Sequence, residues 1–373
     1  MRVVIAGLVA LLLVGPATRG DDPDKKPPGP KAQYDALVKE HSAAQQAYFK
    51  AVGKAKTPED RQKLMKEEAP KLEKVLAKFL DLARKHPKDA VAVDALLVVA
   101  RDNMASSAGG TSQKKAREML AKDHITSDKI GPLCQQLTFD YDGNNDKLLR
   151  TILEKNPAKG VQAEACLALA QNLGQRAAIV RRLAADKDAA KRYEGFLGKE
   201  KTAELLKLDP AKLEKEGEAL SKKFAEKYVG ELKPERLVSL CQRLAFSSDK
   251  GSEALLRKLA AHDKKEVKGV AVLTLARVLK RQADDKADKD KKAAKKLLKE
   301  SEKLFEEAQK KYADVKAGSR TVAEVAKGEL YEIRHLSIGK AAPEVEGEDQ
   351  DGKKFKLADY KGKVVMLDFW QQF

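Results

Sequence analysis

The chain repeats parts of itself. The stretch CQQLTFDYDGNNDKLLR at 134–150 matches CQRLAFSSDKGSEALLR at 241–257, with eight of 17 positions identical. Unrelated stretches of this length share about one identical position. A second match sets HPKDAVAVDALLVVA at 86–100 against NPAKGVQAEACLALA at 156–170, and a third sets EALSKKFAEKY at 218–228 against EKLFEEAQKKY at 302–312. These matches predict repeated structural units.

The repeated units are predicted to be helical. Apolar residues recur at helical spacing from Tyr34 to about His335, and sustained alternation of apolar and polar residues is absent. Helix-start signals stand at Thr57-Pro58-Glu59-Asp60, Asp209-Pro210 and Lys233-Pro234. The three matches have unequal offsets of 70, 107 and 84 residues, which favours helical hairpins with variable insertions over a strict solenoid.

The predicted fold class is therefore mostly α, with stacked helical hairpins that form irregular repeats over residues 34–336. The repeats are only loosely similar to tetratricopeptide or HEAT units. Each hairpin has one apolar face that it must bury against a neighbour. Stacking would leave a long surface on which a protein partner could bind.

Composition agrees with helix packing. The 373 residues correspond to about two or three domains. The chain is 42% hydrophobic, only 5% aromatic and 35% charged, which suits packing through small residues better than a large β-sandwich. Collagen-like, disulfide-rich and multi-span membrane classes are excluded. Cys134, Cys166 and Cys241 lack CxxC or metal-ligand spacing and are predicted to be buried small hydrophobes.

The N-terminus has the pattern of a secretory signal peptide. Met1 and Arg2 give a positive start, an apolar run follows from Val3 to Val14, and Gly15-Pro16-Ala17 supplies small residues. We expect a signal peptide over 1–20, cleaved after Ala17 or Gly20, because a membrane anchor would need about 20 apolar residues. Residues 21–33 are polar and proline-rich, which predicts a disordered linker. The protein is expected to be exported to the periplasm or cell envelope, with no membrane span after cleavage.

One acidic loop, at 140–146, has part of the pattern of a calcium-binding loop. Asp140, Asp142, Asn144 and Asp146 alternate like the first ligands of a calcium loop. The pattern then fails, since Asn145 stands where the loop needs glycine and Thr151 replaces the bidentate acid. The five histidines are isolated, and no nucleotide-binding or hydrolase motif occurs. We therefore predict an interhelical turn here, no metal site and no cofactor.

A lysine-rich run extends from Lys286 to Lys303 in a chain of net charge +17. Dense positive charge attracts phosphates. The run also contains Asp288, Asp290, Glu300 and Glu302, and it has no aromatic residue for base stacking before Phe305. A solvated helix face is the favoured interpretation, nucleic acid is not an expected partner, and a weak attraction to an anionic envelope polymer stays open.

The sequence changes character after His335. Asp351-Gly352 has the pattern of a hairpin turn between two short strand-like runs, and KVVMLDFW at 363–370 is predicted to be a buried strand. The ordered elements IGKAAPEVEG, DGKKFKLADYKGK and VVMLDFW resemble the opening of the redoxin branch of the thioredoxin superfamily. That branch includes the AhpC/TSA peroxiredoxins and the TlpA-like thiol-disulfide oxidoreductases. The resemblance covers residues 338–373.

The resemblance implies specific roles. Asp368 matches the family's buried aspartate, which takes a proton as the resolving thiol attacks. In the family the strand leads within a few residues to a W-C-x-x-C or single-cysteine motif at a helix N-terminus. This sequence reads Trp370-Gln371-Gln372-Phe373 instead. We therefore expect 338–373 to be the first part of an incomplete thioredoxin fold, truncated before its catalytic cysteines. The family's structural positions fall on Pro343, Asp351, Gly352, Gly362, Phe369 and Trp370.

Three hypotheses follow. The first is an exported redoxin-family protein whose family activity is thiol-disulfide exchange or peroxide reduction, with antioxidant or redox-homeostasis roles, and which is inactive as written. A thiol or disulfide partner is expected only if the domain is completed. The second is a non-catalytic secreted helical-repeat scaffold that binds a protein or an envelope polymer. The third is a pairing in which a separately encoded remainder completes the sheet.

Overall fold

The computed structural model describes residues 28–104, 111–138, 143, 145–246, 250–349 and 351–368. The predicted signal peptide at 1–20 lies outside the described residues, as do Phe369 and Trp370. The described residues are mostly helical, which confirms the predicted fold class. The chain divides into two compact units, Met1–Ala116 and Arg117–Phe373.

The first unit is built from helices that pack on one another. Its helix α1 packs on α2, and α2 packs on α3. Phe79 of α2 is fully buried and meets the rings of Tyr34 and His41 edge-on, at centroid distances of 5.9 and 6.0 Å. The helices are α1 Pro30–Val52, α2 Pro58–Lys85, α3 Ala90–Arg101 and α4 Ser112–Asp123, the last of which contains the division between the units.

Local sequence signals set the helix starts in this unit. Thr57 caps α2 by accepting a hydrogen bond from the Asp60 backbone N–H at 3.1 Å, as its sequence predicts. Helix α1 begins at Pro30. Proline fits the first helical position, where no backbone N–H is needed.

The second unit contains the remaining eleven described helices and four short strands. Short 3₁₀ segments occur at Asp128–Ile130, Val229–Glu231 and Leu357–Tyr360, and a π-helical segment at Glu332–Leu336 follows α15. The helices are α5 Gly131–Leu137, α6 Asp146–Lys155, α7 Lys159–Ala185, α8 Lys187–Leu197, α9 Lys199–Leu206, α10 Pro210–Lys227, α11 Pro234–Leu244, α12 Lys250–Leu259, α13 Lys265–Lys286, α14 Lys291–Lys311 and α15 Val322–Tyr331. The strands are β1 Lys316–Ala317, β2 Arg320–Thr321, β3 Glu346–Glu348 and β4 Lys354–Lys356.

The sequence repeats occupy equivalent helices. The stretches that begin at Cys134 and Cys241 span α5–α6 and α11–α12, and the third match lies in α10 and α14. Helix α7 packs on α6 and α10, just as α13 packs on α12 and α14. The pair α8–α9 follows α7, whereas α13 runs almost directly into α14. This insertion explains why the offset falls from 107 residues in the first match to 84 in the third.

The equivalence extends to the helix junctions. Asn156 ends α6 and its Oδ1 accepts a hydrogen bond from the Ala158 backbone N–H at 2.9 Å. His262 follows α12, and its Nδ1 accepts from the Lys264 backbone N–H at 3.0 Å. Both side chains therefore accept a hydrogen bond from a backbone N–H just before the next helix, which that helix itself leaves without a partner.

One hydrophobic core runs through the second unit from α7 to the segment after α15. Its largest fully buried side chains include Phe224 and Phe305, which lie on the equivalent helices α10 and α14. A small satellite cluster of Leu183, Ala189 and Leu205 packs the α8–α9 insertion. No helix within the described residues is both long and apolar enough to span a bilayer.

Candidate functional site

The C-terminal segment is a small antiparallel hairpin. Strand β3 pairs with β4 in the register Glu346↔Lys356, Gly347↔Phe355 and Glu348↔Lys354. The Asp349 carboxylate accepts hydrogen bonds from the backbone N–H groups of Asp351 and Lys353, at 3.0 and 2.9 Å. Gly352 has φ +78°, a conformation that favours glycine. The predicted hairpin turn at Asp351-Gly352 is confirmed.

The hairpin is closed at its base by one carboxylate. The Oε1 atom of Glu344 accepts from the backbone N–H of Ala358 at 3.0 Å and from that of Val345 at 3.2 Å. The Leu357 backbone N–H donates to the Val345 carbonyl at 2.9 Å. These bonds place the 3₁₀ segment Leu357–Tyr360 beside the strand entry. An open groove then forms, lined by Pro343, Leu357, Tyr360, Val365 and Leu367 among others.

The predicted buried strand at 363–370 is wrong for its described part. Residues 364–368 are extended, but they pair with no strand among the described residues. Val364 and Met366 are 104% and 92% exposed. The physical reason is that a strand is stabilised by neighbouring strands and a covering layer, and the described residues supply neither.

The residues at the family's positions occupy the surface of this segment. Pro343 is half-buried at the groove, and Gly362 has φ +86° in the turn before the extended residues. Asp351 and Gly352 form the exposed hairpin turn. Asp368 is exposed, so it is not in the buried setting that the resemblance implies. Phe369 and Trp370 lie outside the described residues.

The three thiols lie elsewhere, inside the helical core. Cys134 on α5, Cys166 on α7 and Cys241 on α11 are each fully buried and free. Burial raises the pKa of Cys166 to about 11 and that of Cys241 to about 12. Burial, reinforced by the charge of Glu164, raises the pKa of the Cys134 thiol still further. The structure therefore does not bring Asp368 and a reactive thiol together, and the prediction of buried cysteines is confirmed.

Buried charge is concentrated in structural pairs that the sequence patterns do not reveal. Arg236 on α11 forms two hydrogen bonds of 2.7 Å with the carboxylate of Glu164 on α7, and Gln135 donates to the same carboxylate at 3.1 Å. The one feature of the sequence that indicates this pair is Glu164 itself, an acidic residue within the apolar run of α7. A bidentate pair of this kind links α11 to α7, and both carboxylate oxygens of Glu164 are engaged by Arg236.

The loop that resembles a calcium site is used differently. Asp146 pairs with the buried Arg176 of α7 at 2.8 Å, and Arg117 donates to Asn145 at 3.0 Å. Its other candidate ligands, Asp140, Asp142 and Asn144, lie outside the described residues. Within the part of the chain that the structure describes, no group of three or more His, Cys, Asp or Glu side chains is arranged to hold a metal. A guanidinium bound to Asp146 disfavours a cation there.

Comparison with known proteins gives one finding. Residues 338–373 match the model of the AhpC/TSA family, over a short piece of that family's domain. The match coincides with the β3–β4 hairpin and the extended residues after it. The C-terminal segment is therefore related to the redoxins, as its sequence motifs indicate. Neither a curated protein nor a solved structure matches the chain significantly.

Proposed function

We propose that this protein is an exported redoxin-family protein, in which a helical-repeat region precedes a thioredoxin-like domain that begins at residue 338. The observation that carries the proposal is the AhpC/TSA match at 338–373. It is supported by the hairpin at Asp351-Gly352. The family activity would be thiol-disulfide exchange or peroxide reduction, in the periplasm or cell envelope.

The chemistry requires a thiolate that the 373 residues do not offer. Thiolate attack forms a mixed disulfide or, with a peroxide, a sulfenic acid, and a second thiol then resolves the intermediate. Cys134, Cys166 and Cys241 are buried and have raised pKa values. We infer that the catalytic cysteine belongs after Trp370, where the family places it, and that the 373 residues alone are inactive.

In a completed domain, the extended residues 364–368 would become an inner strand. Neighbouring strands would cover Val364 and Met366, which are now exposed, and would bury Asp368 beside the new thiol. A carboxylate in that position can take up the proton of the resolving thiol. The groove that contains Pro343 and Leu357 would then be closed by the remainder of the fold.

The test is the coding sequence that follows the Phe373 codon. The proposal expects an in-frame cysteine motif within a few residues, followed by the rest of a fold of about 100 residues. Replacing that cysteine by serine should abolish peroxide or disulfide turnover, whereas Cys166→Ser should leave the turnover unchanged. A stop codon with unrelated sequence behind it would overturn the catalytic proposal for this protein.

A further inference from the structure

The first nine residues of α14, 291–299, include five exposed lysines and no acidic residue. Their helical spacing places them on one side of the helix, opposite the buried Ala294, Ser301, Phe305 and Ala308. We call this surface the lysine face, and it consists of Lys291, Lys292, Lys295, Lys296 and Lys299.

The acids nearby in the sequence do not neutralise the lysine face. Within the described residues, none of its five ammonium groups forms an ion pair with a carboxylate. Asp284 and Asp285 in the last turn of α13 and Asp288 in the turn that follows are also exposed. The other acids are engaged elsewhere: Asp290 accepts from the Ala293 backbone N–H at 3.0 Å, Glu300 from Arg257 at 2.8 Å, Glu302 and Glu306 from Arg334, and Glu307 from Lys311 at 3.0 Å.

This arrangement is unfavourable for the helix itself. Positive charge near a helix N-terminus opposes the helix dipole. The pairs Lys291–Lys295, Lys292–Lys296 and Lys295–Lys299 repel each other at spacing i, i+4. The equivalent helix α10 instead mixes its charges, with Glu214, Glu216 and Glu218 among its lysines. Folding of the repeat therefore does not require the lysine face.

The chemistry of the face selects one kind of partner. The single aromatic residue of α14, Phe305, is buried, so the face cannot stack on bases. Lysine presents point charges and lacks the planar fork with which arginine reads phosphate geometry. Residues 291 to 299 span about 12 Å of helix, and all five ammonium groups can approach one plane together.

We propose that the lysine face docks this protein on the surface of a bilayer that contains anionic phospholipids. Each lysine near such a surface is attracted by its negative potential, and several together give peripheral, salt-sensitive binding. The face offers no apolar side chain for insertion. The proposal stands independently of the redoxin function, because it uses only residues of α14.

The test is co-sedimentation of the full 373-residue chain with vesicles. Vesicles of phosphatidylglycerol and phosphatidylcholine should bind the protein, less so as salt rises, whereas pure phosphatidylcholine should not. The variant with Lys291→Gln, Lys295→Gln, Lys296→Gln and Lys299→Gln should bind roughly 1,000-fold more weakly. The thermal unfolding midpoint of this variant should be no lower than that of the parent, because repulsion between the lysines is removed.

The matched control removes four exposed lysines from the equivalent helix α10, by Lys212→Gln, Lys215→Gln, Lys222→Gln and Lys227→Gln. This variant has the same net charge as the α14 variant, but it should bind vesicles as strongly as the parent does. Equal losses in both variants would show a response to total charge and overturn the proposal. Unchanged binding by the α14 variant, or binding to dissolved heparin without binding to vesicles, would overturn it as well.

Discussion

At the scale of single residues, Gly269 controls how closely α13 approaches the end of α14. A Cβ on Gly269 would lie 2.8 Å from the Cβ of Tyr312 and 3.3 Å from Cγ2 of Val315. We expect Gly269→Ala to lower the free energy of unfolding by about 1–3 kcal/mol, because the buried neighbours leave no room for it. Urea unfolding followed by circular dichroism measures this change.

The matched control is Gly328→Ala in α15. Nothing lies within 4 Å of a Cβ at Gly328, so the gain in helix propensity should raise stability by up to ~1 kcal/mol. Opposite signs for the two substitutions support the close-packing account. A stabilising Gly269→Ala would contradict it.

The three thiols give a second prediction at this scale. At pH 8 the folded chain should react with iodoacetamide at none of its cysteines, and the chain unfolded in guanidinium should react at all three. Mass spectrometry counts the modified residues. Rapid labelling of Cys134, Cys166 or Cys241 in the folded chain would show that our assignment of their burial is wrong.

The same thiols predict a dependence of stability on pH. Burial raises the pKa of Cys166 and Cys241 from 9.0 to about 11 and 12. Because the pKa is higher in the folded chain, the unfolded chain loses its thiol protons at lower pH than the folded chain does. The contribution of the buried neutral thiols to the free energy of unfolding is therefore complete below about pH 9. It should be lost progressively as pH rises from 9 toward 12. The corresponding Cys→Ala variants should show a flatter profile over this window.

At the scale of elements, the helices could be predicted from sequence and the last strand could not. The signals at Thr57-Pro58 and Asp209-Pro210 are local, and both residues cap their helices with side-chain hydrogen bonds. Strand formation at 364–368 depends instead on partners distant in the sequence. The β3–β4 hairpin was predictable, because its turn at Asp351-Gly352 is a local feature.

The partners in ion pairs could also not be predicted from local sequence patterns. Asp146 looked like a potential cation ligand, but its partner Arg176 is thirty residues further along the chain. Glu300 and Glu302 looked like neighbours that neutralise the lysine run, whereas they pair with Arg257 and Arg334. Helix packing decides these pairs, so single-sequence reasoning could name the residues without finding their contacts.

Hydrogen exchange tests the account of the C-terminal segment. Backbone amides of 364–368 have no strand partner among the described residues, and their exchange should be nearly as fast as in an unfolded peptide. The amides of α13, which lie in the core, should exchange slowest. Strong protection throughout 364–368 would mean that this segment is paired and covered, contrary to its exposure here.

At the scale of the whole molecule, the helical region and the redoxin-related segment differ in how far they bury their apolar residues. The helices bury a continuous core that contains Cys166 and Cys241, and Cys134 is buried as well. The segment 338–373 carries the family relationship, and in its described part Ile338, Val364 and Met366 are almost fully exposed. Under the proposed function, redox chemistry belongs to the domain that this segment begins, and the helical region contributes no catalytic thiol.

The most direct test is turnover by the purified 373-residue chain, assayed with hydrogen peroxide and with insulin disulfides in the presence of excess dithiol. The account predicts no turnover above that of a variant with Cys134, Cys166 and Cys241 replaced by alanine. Turnover that disappears in this variant, or after alkylation of the folded chain, would place the chemistry in the helical core and contradict the account.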